Sequence, residues 1–177
     1  MSYWSGRGLR GSSFEELINM TNDIYFEKGL AVVQKVPTPI TPMKMDKEKK
    51  VITLAYFEKK STVDYIGAVQ GIPMCFDAKE TRQGRLPLQN IHEHQVKFMK
   101  KFDEQGGLAF LLVRCNDEDE CFLLPVEVLE SYWLKAQQGG RRSIPYCAFE
   151  EKYSVKNKDG YPVHYLEAVN EYLAQKG

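Results

Sequence analysis

At 177 residues, with 43% hydrophobic and 12% aromatic side chains, the chain is long enough to bury a core and too apolar to be read as disordered. Twenty-four basic and twenty-four acidic residues cancel to a formal charge of zero, so the total gives no reason to expect nucleic acid. No apolar stretch approaches the ~20 residues that cross a bilayer, and the opening MSYWSGRGLRGSS lacks the apolar centre of a secretory signal, so a membrane is excluded and a cytoplasmic protein is expected.

The charge is unevenly spread. Residues 1–114 carry 17 basic and 13 acidic side chains, and residues 115–177 carry 7 and 11. Residues 34–60 alone hold seven lysines against three acids. Such a division is compatible with an anion-facing side and a solvated back, and equally with ordinary surface charge.

In chain order, residues 1–12 read as a flexible basic arm carrying Arg7 and Arg10. Ser13-Phe14-Glu15-Glu16 fits a capping box, and Phe14, Leu17, Ile18, Thr21 and Tyr25 fall on one face of the helix it opens. Gly29 is its natural stop. A short β-branched strand, LAVVQKV, follows at 30–36. The three prolines of PTPITP (37–42) forbid helix and central strand. With the lysine-rich 43–50 and the β-like 51–60 they suggest a stalk-like protrusion over about 35–60, or else a long loop.

Strands are expected at 62–69 and 74–80, a helix at 88–105, a buried strand at 108–113 and its partner at 121–124. The acidic run Asp117–Glu120 reads as a solvated turn. Pro125 opens a helix to about Lys135, QQGGRRSIP (137–145) is a basic glycine-rich loop, and a last helix runs from about His164 to Ala174. One mixed α/β domain with a central sheet is the expected architecture. The four cysteines lack zinc spacing and are expected to be reduced core or near-core thiols. His92 and His94, two apart on a helix, cannot face one metal together.

The segment FDAKET (76–81) contains an acid two residues before a lysine, as do Glu48/Lys50, Glu58/Lys60 and Glu150/Lys152. A two-residue turn at Gln70-Gly71 pairs residues whose numbers sum to 141, which sets Asp64 opposite Asp77 on one face, with Cβ atoms roughly 5 Å apart. A slip of one residue would separate them. Opposed carboxylates repel, and a divalent cation removes that repulsion. Mg²⁺, a hard ion content with few protein oxygens, suits Asp64, Asp77 and the Ala78 carbonyl. Lys79 on the same face could position a water and offset phosphate charge. A polar strand face is the alternative.

An aspartate followed by Asp/Glu-x-Lys on the next strand resembles the PD-(D/E)xK nuclease superfamily. More specifically, TN (21–22), PTPI (37–40), AYF (55–57), STVDY (61–65), FDAKET (76–81), HEHQ (92–95) and GGRRSI (139–144) resemble the RecU-type Holliday junction resolvases of Gram-positive bacteria. The resemblance covers nearly the whole chain and implies a restriction-endonuclease-like mixed central sheet flanked by helices, with a protruding stalk. It also implies a homodimeric, Mg²⁺-dependent endonuclease, with Mn²⁺ able to substitute, that nicks four-way junctions symmetrically and leaves 5′-phosphate ends. Such an enzyme is nucleoid-associated, and a recombinase or branch-migration machinery is a further expected partner.

The resemblance assigns metal-binding or catalytic roles to Asp64, Asp77, Lys79, Thr62 and Gln95, and more weakly to Glu16, whose neighbour Glu15 is equally placed. DNA contacts fall to Arg7, Arg10, Lys44, Lys47, Lys49, Lys50, Arg141 and Arg142. Two departures stand out: Asp77 occupies a position where the family usually has Glu, and the N-terminal arm is shorter than in longer members. The alternatives are a related nuclease for another branched DNA, and a non-catalytic protein that binds junctions or modulates a recombinase.

Overall fold

The computed structural model describes residues 13–57, 62–82, 84–116 and 120–176. The arm with Arg7 and Arg10, the Glu58/Lys60 pair and most of the acidic run at 117–120 lie outside them. Ser13 opens α1 (Phe14–Glu27) with the expected capping box: its N–H donates to Glu16 Oε2 at 2.7 Å, and the Glu16 N–H donates to Ser13 Oγ at 3.3 Å. Phe14, Leu17, Ile18, Thr21 and Tyr25 are buried, as their spacing requires.

After β1 (Val32–Lys35), β2 (Ile40–Asp46) and β3 (Val51–Phe57) pair with each other in a sheet of their own. This ribbon exposes Met43, Met45, Val51, Ile52, Leu54 and Tyr56. Lys44 lies on β2, and Lys47, Lys49 and Lys50 lie in the turn at its tip, where Asp46 Oδ1 accepts from the Glu48 and Lys49 N–H groups. The Glu48/Lys50 pair belongs to that exposed turn.

β4 (Tyr65–Val69) and β5 (Ile72–Thr81) form an antiparallel hairpin. Tyr65 pairs with Phe76 and Ile66 with Cys75, the register given by the Gln70-Gly71 turn. Both turn residues have positive φ, 48° and 84°, as a type I′ turn demands. Pro73, opposite Ala68, does not shift it. β4 is shorter than expected at its start: residues 62–64 leave the ladder, and the Asp64 N–H turns to a side chain.

β6 (Arg85–Pro87) leads through a 3₁₀ turn at 88–90 to α2 (Glu93–Glu104), which starts five residues later than its apolar pattern suggests. Two contacts explain the delay. The Leu88 N–H is taken by the Arg142 carbonyl at 3.1 Å, and His92 is extended, its N–H donating to Gln95 Oε1 at 3.0 Å. Then come β7 (Leu108–Cys115), β8 (Glu120–Pro125), α3 (Val126–Gln137), β9 (Ser143–Pro145), β10 (Ser154–Lys158), β11 (Tyr161–His164) and α4 (Leu166–Lys176). His164 therefore ends a strand instead of starting the last helix.

The main sheet runs β1-β4-β5-β7-β8-β10-β11, parallel only between β5 and β7, with helices on both faces. β6 and β9 form a small pair beside it. Alternation along β5 divides the core. Met74, Phe76 and Ala78 meet residues of α1 and α4, whereas Cys75 meets residues of α2 and α3. On the first face Tyr65, Phe76 and Phe110 stack across three strands, with centroids 4.7 and 5.0 Å apart. Each such pair contributes about 0.5–1.5 kcal/mol beyond its buried area. Cys75, Cys115 and Cys121 are buried and Cys147 is exposed. Among the described residues no helix is long and apolar enough to cross a membrane.

At Gly67 the β1 backbone comes so close that a Cβ would lie 2.2 Å from the Val32 carbonyl oxygen and 2.7 Å from Val33 Cα. Those are backbone atoms and cannot rotate away. Gly67→Ala should therefore lower the unfolding free energy by about 2 kcal/mol in urea titrations, and more if β1 peels away.

Candidate active site

The site forms where β4 ends and β5 continues. Because Asp64 lies one residue beyond the ladder, its N–H is free to donate to Asp77 Oδ1, at 2.7 Å. In return the Ala78 N–H donates to Asp64 Oδ2 at 3.0 Å. Each carboxylate is thus fixed by an amide of the opposite strand, which is a stricter placement than facing side chains alone. The Asp64 carbonyl accepts from the Val36 N–H at 2.8 Å and ties the strand end to the chain leaving β1.

Asp77 is fully buried. Its Oδ2 lies 2.9 Å from Lys79 Nζ, an ion pair by distance, yet it receives no aligned hydrogen bond. The pair is electrostatic, and among the described residues the oxygen lacks a donor, since a short distance without alignment is not a hydrogen bond. The Lys79 side chain is mostly buried, 15% exposed.

Burial pushes the Asp64 carboxyl up to about 6, and the neighbouring Asp77 charge pushes the same way. The Ala78 N–H and Lys79 oppose the shift without cancelling it. A buried carboxylate oxygen without a donor, beside a second carboxyl that is reluctant to ionise, fits a divalent cation. The Ala78 carbonyl adds a third oxygen on the same edge as its N–H. Among the described residues no group of three or more His, Cys, Asp or Glu gathers to hold a metal, so the set is two carboxylates and main chain.

Gln95 is buried on α2, the helix covering the face to which Asp77 and Lys79 project. Its Oε1 caps His92, which fixes the side chain at the start of the helix. Thr62 is exposed in the irregular stretch just before Asp64. Glu16 is engaged in the cap with Ser13, on α1, which lies against the Phe76 and Ala78 face. Glu15 is the helix acid whose charge is felt at Asp64 and Tyr65; it pairs with Lys35. The amides of Asp64 and Ala78 were not legible as site groups, because side-chain patterns do not reveal where a ladder stops.

Glu150 and Lys152 form an exposed ion pair 2.7 Å apart, and among the described residues no second acid pairs with Lys152. Arg141 and Arg142 lie in the loop before β9, and Arg141 Nε donates to Ser143 Oγ at 3.0 Å. His92 and His94 stack, with centroids 5.4 Å apart.

An aspartate at the end of one strand and Asp-x-Lys on the next, carried by a mixed sheet between helices, make up the layout of the PD-(D/E)xK class. Within that class the family is specific. The chain belongs to the Recombination protein U family, whose profile matches residues 9–171. It is similar to the Holliday junction resolvase RecU of Levilactobacillus brevis, with 41% identity over 94% of this chain and 86% of the relative. The RecU of Oceanobacillus iheyensis is 41% identical over 93% and 83%, and that of Lactococcus lactis subsp. lactis 41% over 92% and 78%. Among solved structures, the Holliday junction resolvase Hjc of Archaeoglobus fulgidus is a distant likeness: 14% identity, 64% of this chain and 75% of its own, TM-score 0.36.

The raised Asp64 carboxyl sets a pH dependence. Between its ordinary 3.8 and about 6 the folded chain keeps a proton that the unfolded chain has lost. Its stabilisation is present below about pH 4 and is lost as pH rises through 6. In metal-free buffer the wild type should lose on the order of 1 kcal/mol from pH 4 to 7 relative to Asp64→Asn, with its partial exposure allowed for. Paired urea titrations of the two proteins across that range measure the difference.

Proposed function

We propose that this chain is a divalent-metal-dependent endonuclease that resolves four-way DNA junctions by symmetric nicking in recombination and repair. The observation that carries the reading is the crossed Asp64/Asp77 pair with Lys79 beside it, in a chain whose family relatives are named Holliday junction resolvases. Asp64, Asp77 and the Ala78 carbonyl would hold the cation, with Mg²⁺ the natural choice for hard oxygen donors and Mn²⁺ an acceptable substitute. When bound, it would supply Lewis-acid stabilisation of phosphate charge and a more acidic water.

The chain's own residues do the rest. Lys79 Nζ, held at Asp77, would donate to the attacking water or to a non-bridging phosphate oxygen and so orient an in-line approach. Gln95, locked at the start of α2, would position groups on the same face, and Thr62 would meet DNA at the exposed approach. Attack at phosphorus with departure of the 3′ oxygen leaves 5′-phosphate and 3′-hydroxyl ends.

Two strands of like polarity call for two sites related by a two-fold axis, hence a homodimer. The β2–β3 ribbon has the form of the expected stalk. Its Lys44, Lys47, Lys49 and Lys50 would contact phosphates, as would Arg7, Arg10, Arg141 and Arg142, and its exposed apolar side chains could lie against bases or a second copy. Such an enzyme acts on the nucleoid in the cytoplasm, where a recombinase is a natural neighbour.

Cleavage of a mobile four-way junction and a matched linear duplex in Mg²⁺ tests the reading. Wild type should nick the junction in symmetric pairs and leave the duplex largely intact. Asp77→Ala should lose at least about 100-fold in rate with junction binding kept. Undiminished cleavage by that variant would remove Asp77 from the mechanism, and equal cutting of duplex would remove junction specificity.

The charge distribution leads to a second expectation. Junction binding should weaken by about 10³-fold or more from 50 to 200 mM salt, and replacing Lys47, Lys49 and Lys50 by Gln should flatten that dependence. Gel-shift titrations at stepped salt report both slopes.

A further inference from the structure

Asp77 and Lys79 lie two residues apart on β5, so their side chains leave the strand on the same face of the sheet. Main-chain amides already occupy two of the carboxylate oxygens at the site. Asp77 Oδ1 accepts from the Asp64 N–H, and Asp64 Oδ2 from the Ala78 N–H. Asp77 Oδ2 is the oxygen this arrangement leaves over on the buried acid. Among the described residues it has no hydrogen-bond donor, and Lys79 Nζ lies 2.9 Å away. The oxygen left open to a divalent ion therefore already has a cation beside it.

That contact is held by the fold. Asp77, Ala78 and Lys79 pair with Leu111, Leu112 and Val113 of β7, three fully buried residues, which pins this stretch of β5. The Asp77 side chain is fully buried and that of Lys79 mostly so. Among the described residues each has the other as its only ion-pair partner. An unpaired carboxylate in that setting is costly, and the ammonium offsets the cost. Its charge reaches Asp64 as well, where it opposes the rise that burial and Asp77 impose on the carboxyl.

We propose that Lys79 is the resident counter-ion of the carboxylate pair and competes with the divalent cation for Asp77 Oδ2. Two cations in contact with one buried oxygen repel strongly, because little water screens them. The ammonium pairs with that oxygen until a divalent ion displaces it, and only then is it free for the attacking water or a phosphate oxygen. The exchange keeps the buried carboxylate paired at every stage. It also makes release of the lysine depend on loading of the site, so DNA bound without the metal meets no free ammonium there. The inference rests on the metal-dependent nuclease reading and deepens it, by giving Lys79 a role that opposes metal binding.

Calorimetric titration of Mn²⁺ into the full-length chain at pH 7.5, without DNA, compares wild type, Lys79→Met and Lys79→Arg. Lys79→Met should bind about ten-fold or more tightly, although it lacks the lysine that cleavage needs. Lys79→Arg, which keeps the charge, should bind no more tightly than wild type. Urea titrations separate displacement from the effect of a charge that merely lies nearby. Without metal, Lys79→Met should be less stable than wild type, because it leaves Asp77 buried and unpaired. In saturating Mn²⁺ the two should be equally stable, since the metal has replaced the ammonium in both. Lysine acylation followed by peptide mass spectrometry should likewise find Lys79 protected without metal and modified faster with it.

Equal or weaker Mn²⁺ binding by Lys79→Met, a stability deficit that persists in saturating Mn²⁺, or acylation of Lys79 unaffected by the metal would overturn the proposal. Each of these outcomes leaves the cation site and the nuclease reading standing, because wild type still binds the ion. Failure of wild type and Lys79→Met alike to bind Mn²⁺ would overturn both.

Discussion

Two carboxylates sit within reach of each other at the end of a hairpin, and each accepts from an amide on the other's strand. That exchange is what the rest of the site depends on. Burying two like charges is costly, and without the Asp64 and Ala78 N–H donors both side chains would turn toward water. The bonds hold them in place but leave the cost visible, in an Asp64 carboxyl raised to about 6 and a buried Asp77 oxygen without a donor. A fold gains nothing from such a pair unless something else binds there, which makes it evidence of function more than of stability.

The scaffold explains how the pair is kept. A two-residue turn at Gln70-Gly71 sets the hairpin's register, and β5 is locked to β7 from Met74 to Thr81. Beneath the site, the Tyr65–Phe76–Phe110 stack ties three strands together on the opposite face. Phe76 and Asp77 are adjacent, so one side of β5 is fixed by packing while the other presents charge. An aspartate in place of a longer acid at 77 keeps its carboxylate close to the backbone, within 2.7 Å of the Asp64 N–H.

Much of this was legible in the sequence, for physical reasons that differ from element to element. The Ser13–Glu16 box and the face of α1 follow from local spacing, and the pairing at Asp77 follows from the turn and period two. The acid-x-lysine repeats could be told apart only because one of them had a facing acid. Other features depend on long-range contacts that leave no local trace. The late start of α2 depends on Arg142, more than 50 residues downstream, and β6 finds its partner only at β9. The β10–β11 hairpin was signalled by Asp159-Gly160, both at positive φ, but short strands and intervening polar residues hid it. Glu15 and Glu16 are distinguished by the capping geometry of one and the orientation of the other.

The described surface carries a lysine-tipped ribbon and, on one face of the main sheet, a carboxylate edge. The central claim is that the crossed aspartates form a cation site. Calorimetric titration of Mn²⁺ into the metal-free chain at pH 5.5 and 7.5 tests it most directly. The account predicts one ion per chain, proton release at pH 5.5 as Asp64 ionises, and loss of binding in Asp77→Ala. Equal binding by that variant, with no proton release at either pH, would contradict it.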